Sequence, residues 1–422
     1  MAPGTREGGD GRSGGSPRIG LALAGGGPEG AVYEIGALRA LDEALEGLDL
    51  NRLDVYVGVS AGSFIAAALA NQLDPAQLCR AIVSPEPGEH PFTPETFITP
   101  AGRELGRRVS SVPRLLAEAL GEYARHPLDN SLLGSLTRLG RALPVAVFEN
   151  EPLRAYLEKI FAKPGRTDDF RELPAKLFVV AADLDSGQAV RFGEPPFDGV
   201  PISKAVQAST ALPGLYPPVE IDGRFYVDGV LLKTVHASVA LDAGVGLLLA
   251  VNPIVPVDTV RAVEEGVMKH GRLIDRGLPS VLSQTFRTLI QSRLEVGMRA
   301  YDQRFEGRDV VLFQPRRDDY KMFFTNIFSF EDRLTVCEHG YRQTRRDLRE
   351  RRAELEPILA RHGISIRGVV LVDEDRDLWR NVGLDGRGHR LLARPPKARE
   401  AFLTDRLAST LDRLDRLVEK AG

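Results

Sequence analysis

Cysteine is nearly absent: the 422 residues hold two, Cys79 and Cys337. Two thiols without metal-type spacing exclude a disulfide framework and a structural zinc site, and they read as buried free thiols. Charge of one sign is also lacking. With 55 basic and 58 acidic side chains the net charge is -3, so the chain as a whole attracts neither nucleic acid nor anionic lipid, and no nucleic-acid partner is expected. No apolar run reaches the roughly 18 residues of a membrane span, because the longest candidates, Val55 to Ala70 and Ala243 to Val255, are broken by glycine, serine or asparagine. No transmembrane segment is expected. Residues 1–17, rich in glycine and serine, lack the apolar core of a secretory signal and read as a disordered tail. The expectation is a cytoplasmic protein, with peripheral contact to a membrane left open.

Two copies of one grammar stand near the start. In "LALAGGGPEGAVYEIGAL" an apolar strand over Ile19 to Ala24 meets a glycine cluster and then a helical pattern through Val32, Ile35, Leu38, Leu41 and Leu45. In "DVYVGVSAGSFIAAALANQ" a strand from Val55 turns sharply at Gly58 to Gly62 into an alanine-rich helix. Repeated strand-turn-helix units imply parallel strands with crossover helices: an α/β fold, a three-layer α/β/α sandwich with a mostly parallel sheet. About a hundred residues without a convincing strand follow, and a helical insertion is expected at about 75–170, with Asn150 as an N-cap. Strands return at "KLFVVAADL" and "AVRFG", a helix is expected from Ile202 to Thr210, and Asp222-Gly223 signals a hairpin. "VGLLLAVNP" closes the region at 255, and 256–422 reads as a mostly helical C-terminal region. Its "RRDLRERRAELE" run reads as a solvated helix face in preference to a nucleic-acid patch.

Gly25, Gly27 and Gly30 match the G-x-G-x-x-G dinucleotide fingerprint, set correctly between strand and helix. Gly58-Val59-Ser60-Ala61-Gly62 matches the G-x-S-x-G nucleophile elbow, whose tight turn needs small neighbours and pushes the serine out at a helix N-terminus. Each match alone is compatible with an ordinary turn. A dinucleotide site predicts an acid at the end of the second strand, where Ser60 stands. An α/β-hydrolase triad could take Asp228 and His236, but its elbow follows more strands than precede Ser60. The glycine loop on the preceding strand would face the serine, which favours an oxyanion over a pyrophosphate as its ligand.

In this company the sequence resembles the patatin-like lipid acyl hydrolases. The likeness rests on Gly25-Gly26-Gly27-Pro28-Glu29-Gly30, on Gly58-Val59-Ser60-Ala61-Gly62, and on "AVQASTALPGLYPPVEIDGRFYVDGV" with Asp228-Gly229. It covers residues 18–255 apart from the insertion. The resemblance implies a phospholipase A or lysophospholipase activity with Ser60 as nucleophile, Asp228 as its base and no histidine. It further implies an oxyanion hole from the amides of Gly25, Gly26 and Gly27 with Ala61, and neither metal nor cofactor. A non-catalytic, membrane-associated protein on the same fold is the alternative, followed by a dinucleotide-dependent oxidoreductase built on Gly25, Gly27 and Gly30.

Two positions depart from the family pattern. Glu29 stands where Arg or Lys is usual, so either it faces solvent or pairs with a cation, or the site tolerates only weakly anionic substrates. Val230 stands where a small residue usually follows the Asp-Gly pair. The lipid partner implies a membrane-facing surface, and two stretches invite that reading. "YKMFFTNIFSF" at 320–330 holds five aromatic residues in a chain only 7% aromatic, and a leucine stripe runs from Leu403 to Leu417. The first could equally be a lid or an acyl-pocket wall, with core packing the competing explanation, and helix docking or oligomerisation competes for the second. Oligomeric state is left open by the sequence.

Overall fold

The structure, a computed structural model, describes residues 18–83, 99–101, 145–264, 273–319 and 330–382. The N-terminal tail, the insertion's helical patterns at 112–124 and 131–143, the aromatic stretch up to 329 and the C-terminal leucine stripe lie outside the described residues.

In chain order the main elements are β1 (Ile19–Leu23), α1 (Gly27–Ala44), β2 (Val55–Val59), α2 (Ala61–Ala70), α3 (Pro75–Val83) and α4 (Glu151–Phe161). Then come β3 (Lys176–Asp183), β4 (Ala189–Phe192), α5 (Ile202–Ser209), β5 (Val219–Ile221), β6 (Arg224–Asp228), α6 (Ala237–Asp242) and β7 (Leu247–Val251). Helix α7 (Leu278–Arg304), β8 (Asp309–Phe313) and α8 (Phe330–Glu350) follow. One eight-stranded sheet runs β8-β7-β1-β2-β3-β6-β5, with β4 also paired to β3. Its first five strands are parallel, and β4, β5 and β6 are antiparallel additions.

Both faces of the sheet are covered, as strand sequences without polar alternation require. Leu21 and Leu23 of β1 enter one hydrophobic cluster with α1, α2, α5 and α8, while Ala22 and Ala24 enter a second with α6 and the inner face of α7. β2 splits in the same way: Tyr56 goes to the first cluster, and Val55, Val57 and Val59 go to the second. That period of two makes the three-layer sandwich. α8 crosses α1 closely, because Gly36 sits against the Cys337 carbonyl and Gly340 against the Tyr33 carbonyl, where any side chain would collide with backbone.

The hairpin at Asp222-Gly223 joins β5 to β6 with both residues at positive φ, 49° and 75°, the backbone a two-residue primed turn demands. Three local readings change. β8, beyond the expected boundary at 255, pairs with β7 in the central sheet; its run of five residues is too short for periodicity to separate strand from helix. Asn150 stands at the N-cap of α4, but its amide bonds to Gln207 of α5 instead of capping. Arg345, in the charge run, is buried at 8% exposure and donates to the carbonyls of Val370 and Asp373. Cys79 and Cys337 are both free and buried.

Candidate active site

Strand register decides where the site forms. Along β3, Val180 pairs with Val59 of β2 on one edge and Arg191 of β4 on the other; Ala181 pairs with Asp228 of β6 and Val190 of β4. With β4 holding one edge at both of these positions, β2 and β6 share the other, running toward each other and stopping at neighbouring residues of β3. The residue after β2 is Ser60, and the last residue of β6 is Asp228. Two strands meeting head-on thus bring together side chains 168 positions apart, and the Ser60 hydroxyl donates to Asp228 Oδ2 at 2.6 Å.

The turn holding Ser60 is strained. Its φ of 53° and ψ of -130° lie where L-residues seldom sit, at a typical cost of ~1–3 kcal/mol. Gly58 and Gly62 make the turn possible: a side chain on Gly58 would run into Ser63 and the Gly62 carbonyl, and one on Gly62 into Leu23 and Ala24. The Gly62 amide donates to Ala24 O at 3.1 Å, which ties the elbow to the end of β1. A further residue, unmarked by any motif reading, holds the turn from the other side. Ser209, fully buried at the end of α5, accepts from the Ser60 amide at 2.8 Å and donates to Val180 O at 2.6 Å. Its position in "QASTALP" was the available signal; its partners are visible only in three dimensions.

The glycine loop lies directly beside the serine. A Cβ on Gly25 would stand 2.9 Å from Ser60 Cβ and 3.0 Å from Val230 Cγ2. Gly26 and Gly30 are pressed by Pro253, and Gly27 begins α1 at φ 61°. Among the described residues, no acceptor takes the amides of Gly25, Gly26, Gly27 or Ala61. These donors lie at the N-termini of α1 and α2. Gly229 turns over β3 with its α-carbon against Val180 O, leaving no room for a side chain. Val230 donates its amide to Asp228 Oδ1 at 2.9 Å and walls the Gly25 side with its methyls.

Electrostatics at the site follow burial. Asp228 is 1% exposed, and desolvation pushes its pKa up to about 7 against the opposing hydrogen bonds from Ser60 and Val230. Among the described residues His236, the alternative base, shares no hydrogen bond with the pair: its Nε2 donates to Gly229 O at 3.2 Å, and burial pulls its pKa down to about 4, so it stays neutral. Glu29 finds a cation. It faces Arg287 of α7 at 4.0 Å, yet burial outweighs that attraction and lifts its pKa to about 8, with Asp319 and Asp332 adding to the rise. The departure from the family pattern therefore places a guanidinium near the glycine loop from another element, and puts little negative charge there near neutral pH. Glu34 is fully buried, and desolvation raises its pKa well above the ordinary range against the opposing effect of the Ala24 amide.

Among the described residues, no group of three or more His, Cys, Asp or Glu side chains could hold a metal ion, and no helix is long and apolar enough to cross a membrane. Uncharacterised NTE family proteins of Mycobacterium bovis and Mycobacterium tuberculosis are 35% identical over 81 residues, 19% of this chain and 21% of theirs. The matched region thus spans about a fifth of those relatives. Among solved structures, VipD from Legionella pneumophila is similar with a TM-score of 0.37 at 15% identity, covering 80% of this chain and 67% of that one. The type III effector ExoU, from Pseudomonas aeruginosa, gives 0.33 at 15% identity, covering 89% and 61%. The model of the patatin-like phospholipase family matches residues 21–241, more than half of the chain, and spans both the elbow and the Asp-Gly turn. The chain belongs to the patatin-like phospholipase family.

Proposed function

We propose that the protein is a serine-dependent lipid acyl hydrolase of phospholipase A or lysophospholipase type, working through a Ser60–Asp228 dyad. The observation that carries this reading is the 2.6 Å hydrogen bond from the Ser60 hydroxyl to a buried carboxylate, made at the N-terminus of α2. A carboxyl with a pKa of about 7 can take the serine proton as Ser60 attacks an ester carbonyl, and return it to the leaving alcohol. The amides of Gly25, Gly26, Gly27 and Ala61 are the donors for the oxyanion, and losing one such donor costs about a hundredfold to a thousandfold in rate. Water activated by Asp228 then releases the fatty acid from the acyl-enzyme. This cycle uses no metal and no cofactor.

Ser209 is a positioning residue in this scheme, since its hydroxyl holds the strained backbone from which Ser60 projects. The catalytic unit is assigned to residues 18–255 with the helical insertion at about 75–170. The mostly helical region from 256 onward supplies β8 and the helices that flank the glycine loop. The substrate is a glycerophospholipid or lysophospholipid met at a membrane surface by a cytoplasmic, peripheral enzyme. Hydrolysis of a soluble short-chain ester by the unmodified protein, Ser60→Ala and Asp228→Asn tests the scheme, together with fluorophosphonate labelling. Loss of turnover in both variants and loss of label in Ser60→Ala are expected; equal rates in all three would end the proposal.

A further inference from the structure

Helix α7 is inverted for a surface helix. Such a helix normally turns charged and polar residues outward, but the outward arc of α7 carries Leu282, Phe286, Leu289 and Val296, exposed by 46%, 46%, 56% and 65%, with Val281 at 38% beside them. These positions recur at three- and four-residue spacing and so share a face. The hydroxyl residues between them need little water. Thr285 and Thr288 donate to the carbonyls of Val281 and Gln284, each at 2.8 Å, so their polar hydrogens are spent within the helix. No acidic residue occurs from Leu278 to Leu294; Arg293 is exposed within that span, and Glu295, paired with Arg317, and the exposed Arg299 follow it.

The opposite arc of the same helix reaches the active site. Arg287 faces Glu29 in the first turn after the glycine loop. From the outward side, four residues after Leu289, Arg293 also reaches back to donate to Leu231 O at 2.6 Å, three residues past Asp228. Gln284 donates to Val257 O at 2.7 Å, fixing the helix to the segment that follows β7. The apolar arc is therefore held in a set orientation beside the catalytic dyad.

We infer that the outward arc of α7 is the surface on which this protein lies against a lipid bilayer, Phe286 and Leu289 entering the acyl boundary and Arg293 and Arg299 lying at phosphate level. The choice of a bilayer rests on the lipid hydrolase reading above and on area. The five side chains expose on the order of 400 Å², about half of the roughly 800 Å² per partner in a standard protein interface. A helix lying in the headgroup region needs one apolar face and flanking cations, which α7 has.

The test uses the full chain with Ser60→Ala, so that binding is read without turnover, and flotation with neutral phosphatidylcholine vesicles and with vesicles containing phosphatidylserine. Adding Phe286→Ser and Leu289→Ser should lower the bound fraction at least about tenfold on both. The same two substitutions with Ser60 intact should leave hydrolysis of a monomeric short-chain ester within about twofold. Equal flotation of the two proteins, or flotation by neither, overturns the inference. So does a change from dimer to monomer in sedimentation equilibrium with flotation unaltered, which would assign the face to a second copy. Ester hydrolysis absent from every protein would defeat the catalytic reading while leaving the flotation result to stand by itself.

Discussion

Ser209→Ala removes one hydroxyl and leaves two buried backbone groups without partners, the Ser60 amide and the Val180 carbonyl. Each such group costs about 1–3 kcal/mol when unsatisfied. The Ser60 turn already stores strain at φ 53°, so the least costly response is for the elbow to relax and its amide to turn toward another acceptor. That relaxation moves the hydroxyl away from Asp228. If about 2–3 kcal/mol of transition-state alignment is lost, kcat falls by roughly 30- to 150-fold. Substrate contacts away from the elbow are untouched, so KM for a soluble short-chain ester should stay within about twofold. The fluorophosphonate labelling rate should fall in step with kcat, and Ser209→Cys, with similar volume and a weak S–H donor, should lie between the two. A lower melting temperature with unchanged kcat and labelling rate would show that Ser209 supports the fold alone, and would refute the argument from elbow strain.

In the proposed scheme deprotonated Asp228 is the base, so kcat/KM should climb about tenfold per pH unit up to about 7 and level off above it; a flat profile from pH 5 to 8 would remove that role. Asp228→Asn should lower kcat by about a thousandfold. Gly25→Ala forces a methyl to 2.9 Å from Ser60 Cβ and should cost at least about a hundredfold in turnover, with circular dichroism showing the fold retained. Glu34 is buried with a raised pKa, so the stability it contributes is complete below the ordinary carboxyl range and shrinks as pH rises through the raised value. Glu34→Gln should accordingly leave the melting temperature nearly unchanged at about pH 4 and raise it at about pH 9; the opposite ordering would contradict the assignment of a neutral buried acid.

What the sequence made legible is local. Strand, glycine turn and helix are written in consecutive residues at 19–44 and 55–70, and the primed turn at Asp222-Gly223 announces its own hairpin. The proximity of Ser60 and Asp228 could be expected from ordered motifs, but its physical cause, two strands ending against Val180 and Ala181, is a property of sheet register. β8 is not legible because "DVVLF" is ambiguous until β7 offers it an edge. Ser209, the Glu29–Arg287 pair and the buried Arg345 share one reason for being hidden. Each depends on a partner dozens to hundreds of residues away, and a polar side chain looks the same in sequence whether that partner exists or not.

The meeting of β2 and β6 works as a caliper whose jaws are the lengths of two unrelated chain segments. Adding one residue to either strand would carry its terminal functional group about 3.3 Å along the sheet and turn it to the opposite face, since side chains alternate. Sequence change inside either strand is thereby tolerated far better than a change in its length. Natural or engineered insertions should collect in the connections around these strands, where added residues leave the gap between the jaws unaltered.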